Sequence, residues 1–159
     1  MAGVLALFAG SHIQIPIKPV PFTLHTFVAV LMGLTYRPSH VLGSFAAFFT
    51  LGAFGFPMFS GFVGGAAVLV GPKGGYYLGM LACAYVMASL APRARGSIVR
   101  QVALGVLGEA IIWALGWAQL SLFIGPATAF QFGVLPFVVF DTLKVLMAAG
   151  LVRWTRAFP

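Results

Sequence analysis

Asp141 and Lys144 stand in the run Leu135-Pro-Phe-Val-Val-Phe-Asp-Thr-Leu-Lys-Val-Leu-Met-Ala-Ala-Gly-Leu-Val, where every neighbour but Thr142 is apolar or small. At positions i and i+3 they share one face of a helix. A charge at membrane depth costs at least about 2.5 kcal/mol, so such residues face a partner or a cavity and mark a functional pathway. As chemistry, the pair offers an acceptor and a donor to a polar ligand, or else an ion pair that locks neighbouring helices. The only other acid, Glu109, lies at i with Trp113 and Trp117 at i+4 and i+8. A mid-membrane Glu109 is protonated, paired with Lys144 or an arginine, or turned to a cavity. The two tryptophans are cavity walls or packing. His12, His25 and His40 lack metal-ligand spacing, so no metal is expected. No nucleophile, base and orienting group form a recognisable constellation, which argues against an enzyme.

The elements that must position these groups follow from composition. Of 159 residues, 61% are hydrophobic and 7% charged, against about 25% charged in ordinary soluble domains. The chain is therefore read as one all-α integral membrane domain covering residues 1–159, without a period-2 barrel pattern. Apolar blocks predict six spans: Met1 to about Ile15, then 22–36, 41–56, 75–90, 98–123 and 133–151. Pro16, Pro19 and Pro21 stop the first span and favour an extended, stiff loop. Between the third and fourth spans, the segment from Gly55 to Tyr77 is too apolar for a solvated linker and too rich in glycine for a regular helix. It is read as a folded lid.

The nine basic residues sort by loop. Arg37, Arg93, Arg95, Arg100, Arg153 and Arg156 fall on one side, Lys18 and Lys73 on the other, and Lys144 within a span. The positive-inside rule makes the arginine side cytoplasmic, with both termini, and puts the proline and glycine loops outside. Scattered basic residues without a stripe exclude a nucleic-acid partner. Cys83 is the one cysteine, read as a small packing residue.

Gly71-Pro72-Lys73-Gly74-Gly75-Tyr76 lacks the Gly-x-x-x-x-Gly-Lys-Ser/Thr of a phosphate loop, so no ATPase motor is evident. Its glycines suit close approach of backbone to a ligand or to another loop, with Tyr76 and Tyr77 available for stacking, or a tight turn capping the fourth span. Ala2, Ala6 and Gly10 recur every four residues as a small-residue stripe for a helix partner, internal or external.

Four segments in order, Ile15-Pro-Ile-Lys-Pro-Val-Pro-Phe-Thr-Leu-His-Thr-Phe, Gly55-Phe-Pro-Met-Phe, Gly71-Pro-Lys-Gly-Gly-Tyr and Leu135-Pro-Phe-Val-Val-Phe-Asp-Thr-Leu-Lys, resemble the BioY family of biotin-binding S components of energy-coupling factor (ECF) transporters. The resemblance implies a six-helix bundle in a prokaryotic cytoplasmic membrane that binds biotin on its outer side. It further implies a transmembrane coupling subunit and two ATPase subunits as partners, ATP being used by those subunits and no cofactor held by this chain. The family's coupling contact maps to Ala2 and Ala6, its final-helix acid and lysine to Asp141 and Lys144, and its Gly-Pro-x-Gly-Gly-Tyr segment to Gly71 to Tyr76, with Gly74, Gly75 and Tyr76 at the ligand. Thr23, His25, Lys73 and Trp117 are further candidate ligand contacts of this sequence, those of His25 and Lys73 not carried over from the family. His25 stands where the family often has glutamine and Lys73 where it has threonine. Asp141 is expected to accept a ureido N–H of biotin, and Lys144 to support that end or neutralise charge. Lys73 is an alternative partner for the carboxylate. The competing readings are an S component for thiamine, riboflavin or lipoate, a structural membrane protein with a buried ion pair, and a membrane-embedded enzyme.

Overall fold

A computed structural model of the chain describes residues 1–15 and 20–157, with side chains through Thr155. Pro16, Lys18 and Pro19 of the expected stiff loop, and the side chain of Arg156, lie outside the described residues. Helix α1 (Ala2–His12) ends where Ile13 turns extended. A short antiparallel pair follows, β1 (Gln14–Ile15) with β2 (Phe22–Thr23), in which Gln14 faces Thr23 and Ile15 faces Phe22. This clasp delivers Val20, Pro21 and Thr23 to the top of the bundle just before α2 (His25–Thr35) begins. Pro38 in the first turn, where its missing N–H costs nothing, starts α3 (Pro38–Ala53).

The glycine-rich segment is folded back on itself. Gly55, Gly61 and Gly65 have φ between 84° and 108°, and Phe62 has φ 58°, so the chain reverses repeatedly where a missing Cβ permits it. A bridge joins Phe59 to Val63, and one helical turn, α4 (Ala67–Val70), leads into α5. Phe59 is fully buried against Gly52 of α3.

Helices α5 (Gly74–Ala94) and α6 (Ile98–Ile124) pack along most of their length, with α2 on the other flank of α5. Two glycines make this approach possible. A Cβ at Gly79 would stand 2.8 Å from Ile112 Cα, and one at Gly75 would run into the Leu115 carbonyl. Small residues that let helix backbones meet are the usual glue where lipid removes the hydrophobic drive between helices. Ser97 caps α6 by accepting from the Arg100 backbone N–H.

Gly125, at φ 81°, turns the chain into α7 (Pro126–Gly133), a helix where the apolar blocks indicated only a loop. After a break at Val134, α8 (Leu135–Ala157) carries the acid–lysine pair back down the bundle against α2 and α6. Among the described residues, three stretches are long and apolar enough to cross a bilayer: Gly74–Ala94, Ile98–Ile124 and the run Pro126–Thr155, which joins α7 to most of α8. By contrast α1 and α2 have 11 residues each, about 16 Å at 1.5 Å per residue, well short of a 30 Å hydrocarbon core.

The small-residue stripe of α1 divides. Gly10 is buried, with Val28 of α2 2.9 Å from where its Cβ would stand, whereas Ala2 is exposed and Ala6 half-buried. Four residues advance a helix by about 400°, so the stripe drifts by roughly 40° each step and cannot face one partner throughout.

Candidate functional site

Asp141 sits on the inner face of α8 and is 1% exposed. Lys144 Nζ donates to its Oδ1 at 2.8 Å, to Thr26 Oγ1 at 3.0 Å and to the Thr23 carbonyl at 2.7 Å. All three ammonium protons are thereby engaged, and the lysine ties α8 to the clasp and to the start of α2. Thr26 Oγ1 also donates to Asp141 Oδ1 at 3.2 Å, and Trp113 Nε1 of α6 donates to Oδ2 at 3.1 Å. An ionised carboxylate accepts about four hydrogen bonds. Three are filled, so Oδ2 keeps capacity for one further donor.

The pair borders a small cavity of about 30 Å³ lined by Val20, Pro21, Thr23, Thr26, Tyr76, Met80, Ile112, Trp113 and Phe137 with Asp141 and Lys144. A second chamber, also of about 30 Å³, shares Val20, Pro21, Thr23, Tyr76 and Met80 with it and adds His25, Ser60, Lys73 and Tyr77. Tyr76 forms part of the boundary between the two, its hydroxyl donating to the Gly133 carbonyl at 2.8 Å. Tyr77 accepts from the Ser60 N–H at 3.0 Å and donates to Ser60 Oγ at 3.2 Å, pinning the lid over the second chamber. The walls are apolar and aromatic with a few placed polar groups, the usual make-up of a small-molecule site.

Of the residues singled out in the sequence, Asp141, Lys144, Thr23, His25, Lys73 and Tyr76 come together around these chambers. His25 is buried edge-on between Phe48 and Tyr77, and its Nε2 has no hydrogen-bond partner among the described residues. Trp117 is placed elsewhere. It is 38% exposed and donates to the Pro126 carbonyl at 3.0 Å at the α6–α7 corner. The 40° drift per four residues explains this: Trp113 meets the cavity and Trp117 has rotated off that face. Gly74 and Gly75 line neither chamber; they lie against Leu69, Leu115 and Gln119. Of the readings open for them, the structure places close approach to protein backbone.

Glu109 does not pair with Lys144. It is 1% exposed, lines neither chamber, and neither carboxyl oxygen has a hydrogen-bond partner among the described residues. Sequence reasoning missed Thr26 and Ser60, since hydroxyl residues carry no signal until a fold gives them neighbours. Thr26 meets Asp141 from 115 residues away. Trp113, read from the sequence as a cavity wall or packing, lines the cavity and adds a hydrogen bond to Asp141 that its spacing from Glu109 did not indicate.

A helical bundle with, among the described residues, three helical stretches long and apolar enough to cross a bilayer, and a buried acid–lysine pair beside two small adjoining chambers, defines an integral membrane protein with an internal polar site. The chain belongs to the BioY family, whose family model matches residues 1–159. It is similar to the biotin transporter BioY of Thermotoga maritima, 40% identical over 144 residues covering 90% of this chain and 85% of that one. It is also similar to the probable biotin transporter BioY of Pyrococcus horikoshii, 37% identical with 87% and 82% covered. Among solved structures it resembles the S-component for biotin from an ECF-type ABC transporter, with TM-score 0.84 and 25% identity over 99% of this chain and 87% of that chain.

Proposed function

We propose that this chain binds biotin and brings it across a prokaryotic cytoplasmic membrane as the S component of an ECF-type transporter. The observation that carries the reading is the polarity of the cavity. One chamber ends in a carboxylate with one acceptor position open, the other has Lys73 among its lining residues, and shared apolar walls connect them. Biotin has the complementary pattern: a ureido ring with two N–H donors and a carbonyl, an apolar middle, and a carboxylate tail. Asp141 Oδ2 accepts a ureido N–H beside the indole of Trp113. Lys144, with its protons already engaged, holds Asp141 and Thr23 in place. Lys73 takes the carboxylate through a charge-assisted hydrogen bond. Tyr76 and Met80 flank the middle of the ligand.

In this reading six segments span the membrane: α1, α2, α3, α5, α6 and α7–α8 together. Both termini are cytoplasmic, and the clasp and the lid cover the cavity from outside. The short α1 and α2 accommodate by local thinning of lipid and by packing inside the bundle. The exposed Ala2 and the half-buried Ala6 present a low-relief face to a transmembrane coupling subunit. Two ATPase subunits bound to that subunit supply the motion that releases biotin inward. This chain contributes binding, not catalysis, and holds no cofactor.

The test is equilibrium binding of labelled biotin to the purified chain in lipid nanodiscs. The expected result is saturable, one-to-one binding that thiamine, riboflavin and lipoate compete with poorly. An intact fold that binds none of them favours a structural role for the ion pair. Tighter binding of another vitamin reassigns the substrate.

A further inference from the structure

We propose that Gln119 of α6 is a positioning residue that sets Lys73 at the mouth of the second chamber. The inference rests on the reading above that Lys73 takes the carboxylate of biotin. Gln119 Nε2 donates to the Gly71 carbonyl at 2.6 Å and to the Leu69 carbonyl at 3.2 Å, spanning about 50 residues of sequence to reach them. Leu69 is in the last turn of α4 and Gly71 is the first residue of the turn Gly71-Pro72-Lys73 that leads into α5, so both carbonyls hold that turn from its N-terminal side. Both protons of the amide are therefore available to one turn, and a single side chain fixes its orientation.

The glycines after Lys73 serve this contact. A Cβ at Gly74 would stand 2.6 Å from Gln119 Nε2 and strike the Leu69 carbonyl, and one at Gly75 would stand 2.8 Å from Gln119 Cβ. Gly74 and Gly75 thus leave the space in which the amide lies beneath the turn. Lys73 is the N-cap residue of α5, is half-buried, and leaves the chain directly from the turn that Gln119 holds. A lysine is a flexible point charge, and fixing the backbone at its root removes part of the entropy cost of aiming it.

The experiment compares biotin with its uncharged methyl ester on wild type, Lys73→Gln, Gln119→Ala, Gln119→Glu and the Lys73→Gln/Gln119→Ala double variant, in nanodiscs. Lys73→Gln is expected to weaken biotin by about tenfold and to leave the ester unchanged, as loss of one charge-assisted contact to a carboxylate requires. Gln119→Ala and Gln119→Glu are expected to do the same, the second because it keeps the size of the side chain and removes both donors. The double variant is expected to be no worse than either single one. Gln119 variants that weaken acid and ester alike, or neither, overturn the inference, as does additivity in the double variant or a Lys73→Gln that fails to discriminate. Wild type that binds neither compound overturns the biotin reading itself. If Gln119→Ala does not fold, Gln119→Glu gives the same comparison.

Discussion

Replacing Asp141 by Asn tests the site at its centre. The carboxylate takes Lys144 and Thr26 on Oδ1 and Trp113 on Oδ2. Asparagine has a single oxygen. With that oxygen toward Lys144, its NH2 group opposes the indole N–H; flipped, it opposes the ammonium. Either way a buried donor loses its acceptor, at about 1–3 kcal/mol, and Lys144 loses its counter-charge, for which about 3–5 kcal/mol is typical of a broken buried pair. For ligand binding, the loss is a hydrogen bond to a charged acceptor, about 1.5–3 kcal/mol, or a rise in Kd of roughly 10- to 150-fold. Folding and binding are separated by a companion, Asp141→Asn with Lys144→Met, which removes the stranded charge. Titration calorimetry and thermal unfolding in the same nanodiscs read both. The single variant is expected to lose stability and affinity; the companion regains stability and stays weak for biotin. Unchanged biotin affinity in a folded single variant would refute the assignment of Asp141 to the ligand.

Trp113→Phe keeps the ring and removes the N–H on Asp141 Oδ2; with about 1 kcal/mol at stake, a roughly fivefold weaker Kd is expected by calorimetry. Gly79→Val forces α5 off the Ile112 backbone and is expected to cost over 2 kcal/mol in unfolding, while Gly43→Ala and Gly150→Ala, with nothing within 4 Å of the added methyl, are expected to be neutral or stabilising by up to about 1 kcal/mol. Topology is read by single cysteines, since Cys83 is buried. An impermeant maleimide on intact cells is expected to label Ala66→Cys and not Arg95→Cys, and the reverse pattern would invert the proposed orientation.

Much of the site was legible because charge is costly in an apolar helix. Asp141 and Lys144 could be paired from their spacing alone, and the lid from a glycine density that no regular helix tolerates. The partners of the pair were not legible. Thr26 and Thr23 are ordinary hydroxyl residues until α2 and the clasp are laid against α8. The i, i+4, i+8 row of Glu109, Trp113 and Trp117 read as one face, and the helix turned its third member outward. Gly74 and Gly75 read as a ligand loop in part because the residue they accommodate, Gln119, lies on another helix.

The sequence by itself determined that the chain is a membrane protein, where its charges are affordable, and which family it belongs to, because composition and short ordered motifs are local properties. Only the tertiary structure decided which protons Lys144 has left to offer, which tryptophan meets the acid, that Glu109 stands unpaired, and that α7 is a helix. Those outcomes depend on side-chain direction and on contacts between residues distant in the chain, and neither is encoded in spacing along one helix.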